Sequence, residues 1–194
     1  MNRRDLLKMI SAATGTAMIG GNAALLSGCS NGGEAPPVPE KLLKYEFTER
    51  DIQILDEAAE TFIPRTDTPG AKDAEVGAFM ARFVNACYTP EEQAVFLTTM
   101  PQLEQRSDAE FSRSFVDLDT EQREAVLGAF AEEARERRRR DDPDPHFYTM
   151  LKQLTLFGFF TSELGATEVL RYIAIPGRYE GCTPYEEGDR AWAT

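Results

Sequence analysis

The chain has one histidine, three cysteines and one tryptophan in 194 residues. That inventory is poor for a metal centre or a histidine-based catalytic relay, because a ligand or a base needs partners. No glycine-rich phosphate loop occurs, so no flavin or nicotinamide site is visible. Alternation of apolar and polar residues, the mark of half-buried strands, is scarce. Positive charge is also short: 21 Lys and Arg face 33 Asp and Glu, a formal net charge of −12. Arg3, Arg4 and Lys8 against Asp5 give residues 1–28 a net +2 and leave −14 on the rest. A surface that acidic repels phosphate backbones and excludes nucleic acid as a partner.

What is present begins with an address. Met1–Lys8 is basic, Met9–Leu26 is mildly apolar and diluted by glycine and threonine, and Leu26-Ser27-Gly28-Cys29 follows. A cleavable export segment has this layout and stays outside the fold. Arg3-Arg4-Asp5-Leu6-Leu7-Lys8 resembles a twin-arginine export motif, with Asn2 and Leu6 where Ser or Thr and Phe are usual. Leu26–Cys29 resembles a lipobox, in which the Cys29 thiol is diacylated and becomes the new N-terminus. The resemblance implies a twin-arginine lipoprotein signal at 1–28 and a lipid anchor on the periplasmic side of a cell-envelope membrane. Its route carries proteins that are already folded. Residues 29–47, rich in Gly and Pro, read as a flexible tether.

The remainder, 48–194, reads as all-α: a small domain of about five to six helices with an irregular C-terminal tail. Thr48 and Asp51 open a first helix, with Ile52, Leu55, Ala59 and Phe62 on one face and Pro64 as its stop. Residues 64–71 form a proline-rich loop. Asp73 is expected to cap a second helix with Val76, Phe79, Met80, Phe83 and Cys87 inward. Thr89-Pro90-Glu91-Glu92 is a strong helix start, with a cap, a first-position proline and acids against the dipole. Phe96, Leu97, Met100 and Leu103 follow, and Pro101 should kink or shorten this third helix. Residues 104–114 are polar and read as a loop with a short turn. Phe115, Val116 and Leu118 dip into the core. Asp119 caps a fourth helix bearing Val126, Leu127, Phe130 and Ala134 and ending in the basic segment Arg135-Glu-Arg-Arg-Arg-Arg140. That run is either a solvated helix end or a patch for an acidic partner or anionic lipid. The most apolar stretch starts at Phe147 and reads as the core helix, with Phe147, Met150, Leu151, Leu154 and Phe157 inward and Phe160 as a further candidate. A turn over Ser162–Gly165 and a short helix to Tyr172 lead into the tail.

Candidate chemistry is sparse. His146 has no second histidine to work with and reads as a surface or cap residue, and Glu163 is one acid without a partner. Cys87 and Cys182 have three readings in an oxidising compartment: a bridge to each other, a bridge to a partner subunit, or burial of Cys87. Tyr179, Cys182, Tyr185 and Trp192 lie on the irregular tail. They either cover the chain's own core or meet a partner, where Tyr and Trp favour the strongest contacts.

The ordered set Phe62-Ile-Pro-Arg-Thr-Asp-Thr-Pro-Gly-Ala71, Phe147–Phe160, Thr161-Ser162-Glu163 and Pro176-Gly-Arg-Tyr-Glu-Gly-Cys-Thr-Pro184 resembles subunit 3 of gluconate 2-dehydrogenase. The resemblance runs from Thr48 to Trp192. It implies a non-catalytic small subunit in complex with a large, FAD-carrying flavoprotein dehydrogenase and commonly a cytochrome c subunit. It also implies a part in the maturation and export of that partner. Membrane tethering through Cys29 is inferred from the lipobox. The alternative is a stand-alone lipid-anchored helical binding module of the cell envelope, and an enzyme using Glu163 or His146 is the remaining rival.

Overall fold

The first helix forms where its cap says it should. In the computed structural model, which describes residues 45–175, 177, 181–182 and 184–193, α1 spans Glu49–Phe62. The Asp51 N–H donates to Thr48 Oγ1 at 3.1 Å and the Thr48 N–H donates to Asp51 Oδ2 at 2.9 Å. This reciprocal box satisfies two of the donors that a helix start leaves open. Two other starts use the same device. Thr89 and Glu92 open α2's successor α3 (Pro90–Leu97), after α2 (Val76–Cys87), and Asp119 and Gln122 open α5 (Thr120–Arg139). Between them lie α4 (Thr99–Phe111) and a 3-10 turn over Phe115–Asp117; α6 (Phe147–Phe160) follows α5. The described residues are helical apart from turns and one isolated bridge, as expected for an all-α domain.

α6 is the central element. It packs against each of the other five α-helices. Phe147, Met150, Leu151, Leu154 and Phe159 are buried on it, facing Leu55 and Ala59 of α1, Met80 and Val84 of α2, Phe96 of α3, Leu103 of α4 and Phe130 of α5 within one core. Gly158 lets α2 approach, since a Cβ there would come within 2.6 Å of the Phe79 ring.

Several expectations are corrected. Asp73 does not cap α2, which starts at Val76 after Glu75 in the left-handed region (φ 51°). Asp73 instead accepts the Gly70 N–H at 2.8 Å and pairs with Arg65, and these contacts hold its carboxyl below the usual range. Cys87 is exposed, because it ends α2 one turn beyond Val84, which fills the core. The polar stretch 104–114 is helical through Phe111. Leu103 and Ser107 share the buried side, Ser107 Oγ donates back to Leu103 O at 2.7 Å, and Ser112 ends the helix at φ 52°. Pro101 shortens the third helix as expected: it leaves Leu97 O without its N–H donor, and the chain breaks at Thr98 into α3 and α4. Phe157 and Phe160 are exposed by 47% and 38% rather than inward. The turn after α6 shrinks to Thr161–Ser162, and Gly165–Val169 wind as a π-helix before Leu170.

The loop between α1 and α2 is sewn by carboxylates from α1. Glu60 accepts the backbone N–H groups of Arg65 at 2.8 Å and Lys72 at 2.9 Å. A Cβ at Gly70 would strike that carboxylate, so glycine is required there. Glu57 binds Lys72 Nζ at 2.5 Å and Arg123 Nη1 at 2.6 Å, and Arg123 Nη2 donates to Val116 O at 3.1 Å. Asp56 accepts the Gly77 N–H at 2.8 Å; burial pushes its carboxyl up, opposed by that hydrogen bond.

Candidate interaction surface

α6 has more apolar positions than one face can hold, so burying one side leaves others uncovered. Leu156 is exposed by 41%, beside Phe157 and Phe160 in the last two turns. Phe157 is anchored from below. Its ring lies 5.7 Å from Phe79 and 5.5 Å from Phe83, Phe83 is 5.7 Å from Tyr88, and Tyr88 is 6.2 Å from the buried Phe96. An aromatic column thus runs from the core to the surface and holds Phe157 in place. Large apolar side chains grouped on a monomer surface mark contact sites.

The side of α6 that faces α5 presents a different surface. Tyr148, Thr149, Lys152, Gln153 and Leu156 face Ala131, Ala134, Arg135 and Arg138 of α5 across a groove of about 290 Å³. Most cations at the end of α5 are paired: Arg135 with Glu132, Arg137 with Asp142, Arg139 and Arg140 with Glu136. Arg138 and Lys152 have no ion-pair partner among the described residues.

The tail returns to the body and keeps Tyr172, Tyr185 and Trp192 outside. Arg171 N–H donates to Ala191 O and Ala193 N–H donates to Arg171 O, both at 2.8 Å. The Arg171 guanidinium lies 4.5 Å over the Trp192 ring and 3.6 Å from Asp189. Trp192 is nonetheless 43% exposed and Tyr185 72%, with Tyr172, Ile173 and Ile175 also open. Cys87 and Cys182 are exposed free thiols. Arg3, Arg4, Cys29 and Tyr179 lie outside the described residues.

A second hollow, of about 550 Å³, opens beside His146 between α3, α5 and the start of α6. His146 is the N-cap of α6: its Nδ1 accepts the Tyr148 N–H at 3.2 Å while its ring stacks on Phe147 at 4.8 Å. Burial and then the Arg137 charge hold its pKa below the ordinary value, against Glu133. An imidazole spent on a backbone cap has no relay partner and builds no acid–base pair. Glu163, the other single-acid candidate, is exposed. Among the described residues no group of three or more His, Cys, Asp or Glu is placed to hold a metal ion.

The fold and surface define a class: a small all-helical domain whose outstanding surface feature is an anchored, uncovered aromatic face. A family model described as gluconate 2-dehydrogenase subunit 3 matches residues 49–177, and the chain belongs to that family. The match runs from the first residue of α1 past the π-helix. It stops short of Cys182, Tyr185 and Trp192, so the resemblance drawn to Trp192 is carried by the family model only to residue 177. The family name makes the chain a subunit of a dehydrogenase complex, in an accessory position. No curated protein matches the chain, and no solved structure does.

Proposed function

We propose that this chain is the non-catalytic accessory subunit of a flavin-dependent dehydrogenase. It binds the large FAD-carrying subunit, supports its folding and its passage through the twin-arginine route, and tethers it to the envelope membrane through a lipid on Cys29. The complex sits on the periplasmic side, with a cytochrome c subunit as a third member. The observation that carries the reading is the exposed apolar face of Leu156, Phe157 and Phe160 on a chain of this family. Less than half of each of these three side chains is open, so covering them is worth about 0.5–1.5 kcal/mol each, and a large subunit supplies that cover. Tyr185, Trp192 and Tyr179 on the tail extend the contact in this reading.

A membrane pull-down through a C-terminal tag tests it, run with the wild type and with Arg3→Lys/Arg4→Lys. The expected result is a flavin-containing partner that co-purifies with the wild type and stays in the cytoplasm with the variant. A non-reducing gel of the same sample reads whether Cys87 or Cys182 joins the partner. A single flavin-free band from wild-type membranes contradicts the proposal and leaves a stand-alone binding module.

A further inference from the structure

We infer that the α5–α6 groove receives a protruding segment of the catalytic subunit in which a carboxylate is flanked by an apolar side chain. The inference rests on the accessory-subunit reading and specifies where and with what chemistry the partner docks. Its starting point is an imbalance. Acids outnumber Lys and Arg by 33 to 21, and the arginines on either side of Arg138 each have a carboxylate. Arg138 and Lys152, on opposite walls of the groove, have none among the described residues, so an acid from the partner is the counter-charge they fit. The floor between them is Ala131, Ala134, Tyr148 and Leu156. Two alanines one turn apart leave room for a foreign side chain, and about 290 Å³ is the scale of one or two residues. Leu156 also belongs to the exposed apolar face, so the groove and the aromatic patch share a border. A segment seated between the cations therefore continues onto Phe160 without crossing a polar gap.

A membrane fits this site less well. The body carries −14 beyond residue 28 and is repelled by an anionic bilayer. The alanine floor is half-buried between two helices, which suits a protruding segment better than a flat lipid surface.

The test uses the full tagged chain with its native flavoprotein, purified from membranes. Arg138→Glu/Lys152→Glu should lower flavin recovered per chain at least tenfold, as should Ala134→Trp, which fills the groove. Arg139→Glu/Arg140→Glu, charges already paired with Glu136, should lower it by less than twofold. Gln153→benzoylphenylalanine, photolysed in the complex, should attach to a flavoprotein peptide containing Asp or Glu next to an apolar residue. Circular dichroism checks that each variant keeps its helices. Equal flavin recovery from all variants would overturn the groove as the docking site while leaving the accessory-subunit reading intact. A wild-type chain that brings down no flavoprotein would overturn both. Binding to vesicles rich in phosphatidylglycerol that is lost in Arg138→Glu/Lys152→Glu, with flavin recovery unchanged, would reassign the groove to lipid and overturn the inference.

Discussion

Two regions of this domain carry residues of the family pattern and use them in opposite ways. The loop from Phe62 to Ala71 is fastened to the domain through its backbone, the Arg65 and Gly70 N–H groups donating to Glu60 and Asp73, while Pro64 to Thr68 stay exposed. Nearby, Glu57 ties α1 to Arg123 of α5. The end of α6 does the reverse and turns Leu156, Phe157 and Phe160 outward. The first region explains how a mostly acidic chain holds a fixed fold: its carboxylates serve as backbone acceptors and ion-pair partners. The second has no such internal use for its side chains, and its value lies in what it meets. A family resemblance carried by both stretches therefore mixes a folding constraint with a binding surface, and the internal hydrogen bonds of the first separate them.

The comparison is sharpest within α6 itself. Phe159 is fully buried and Phe157 is nearly half exposed, two residues away. Phe159→Ala should destabilise the domain by about 3–5 kcal/mol. Phe157→Ala should cost about 1 kcal/mol, the loss of its edge contacts with Phe79 and Phe83, yet lower the flavoprotein recovered with the chain. Urea unfolding beside the pull-down separates the two. In the sewn region, Arg123→Met strips Glu57 of its better-buried partner and leaves Lys72. A loss of about 3 kcal/mol is expected, at the low end for a broken buried pair because that second cation remains. Gly158→Ala places a Cβ against Phe79 and should cost about 1–2 kcal/mol, together with a change in the packing of Phe157 above it, read by side-chain NMR.

The smallest effect is a pH dependence. His146 caps α6 as neutral imidazole, and burial with Arg137 nearby lowers its folded pKa below the ordinary 6.5; Glu133 acts the other way, and Asp144 lines the same hollow. The unfolded chain then binds more protons in that window, so the contribution is complete above pH 6.5 and is lost as pH falls through the folded value. The expected loss is about 0.5–1 kcal/mol, the scale of an N-cap. His146→Asn keeps a capping acceptor and should flatten this part of the stability profile.

Local signals were legible in the sequence. Thr48 with Asp51, Thr89-Pro90-Glu91-Glu92 and Asp119 each announce a helix because the cap and its partner lie within one turn. The apolar run of α6 announces a central helix, but Leu156, Phe157 and Phe160 are as apolar as the residues it buries, so spacing alone does not say which are covered. That is why the sequence reads Phe157 as inward and offers Phe160 as a further candidate. The helix through 104–111 was hidden by its polar composition; its burial rests on Leu103, Ser107 and neighbours from other elements. Glu57–Arg123 and the groove cations Arg138 and Lys152 depend on contacts between distant segments, and no single stretch of sequence contains them.

The central claim is that the outward side of α6 is covered by the dehydrogenase. Hydroxyl-radical footprinting of the isolated chain and of the membrane-purified complex measures this directly, because Leu, Phe, Tyr and Trp side chains report their own exposure. The account predicts that Leu156, Phe157, Phe160 and Trp192 label in the free chain and are protected in the complex, while Tyr45 labels equally in both. Unchanged labelling at Leu156, Phe157 and Phe160 in a flavin-containing complex would contradict it.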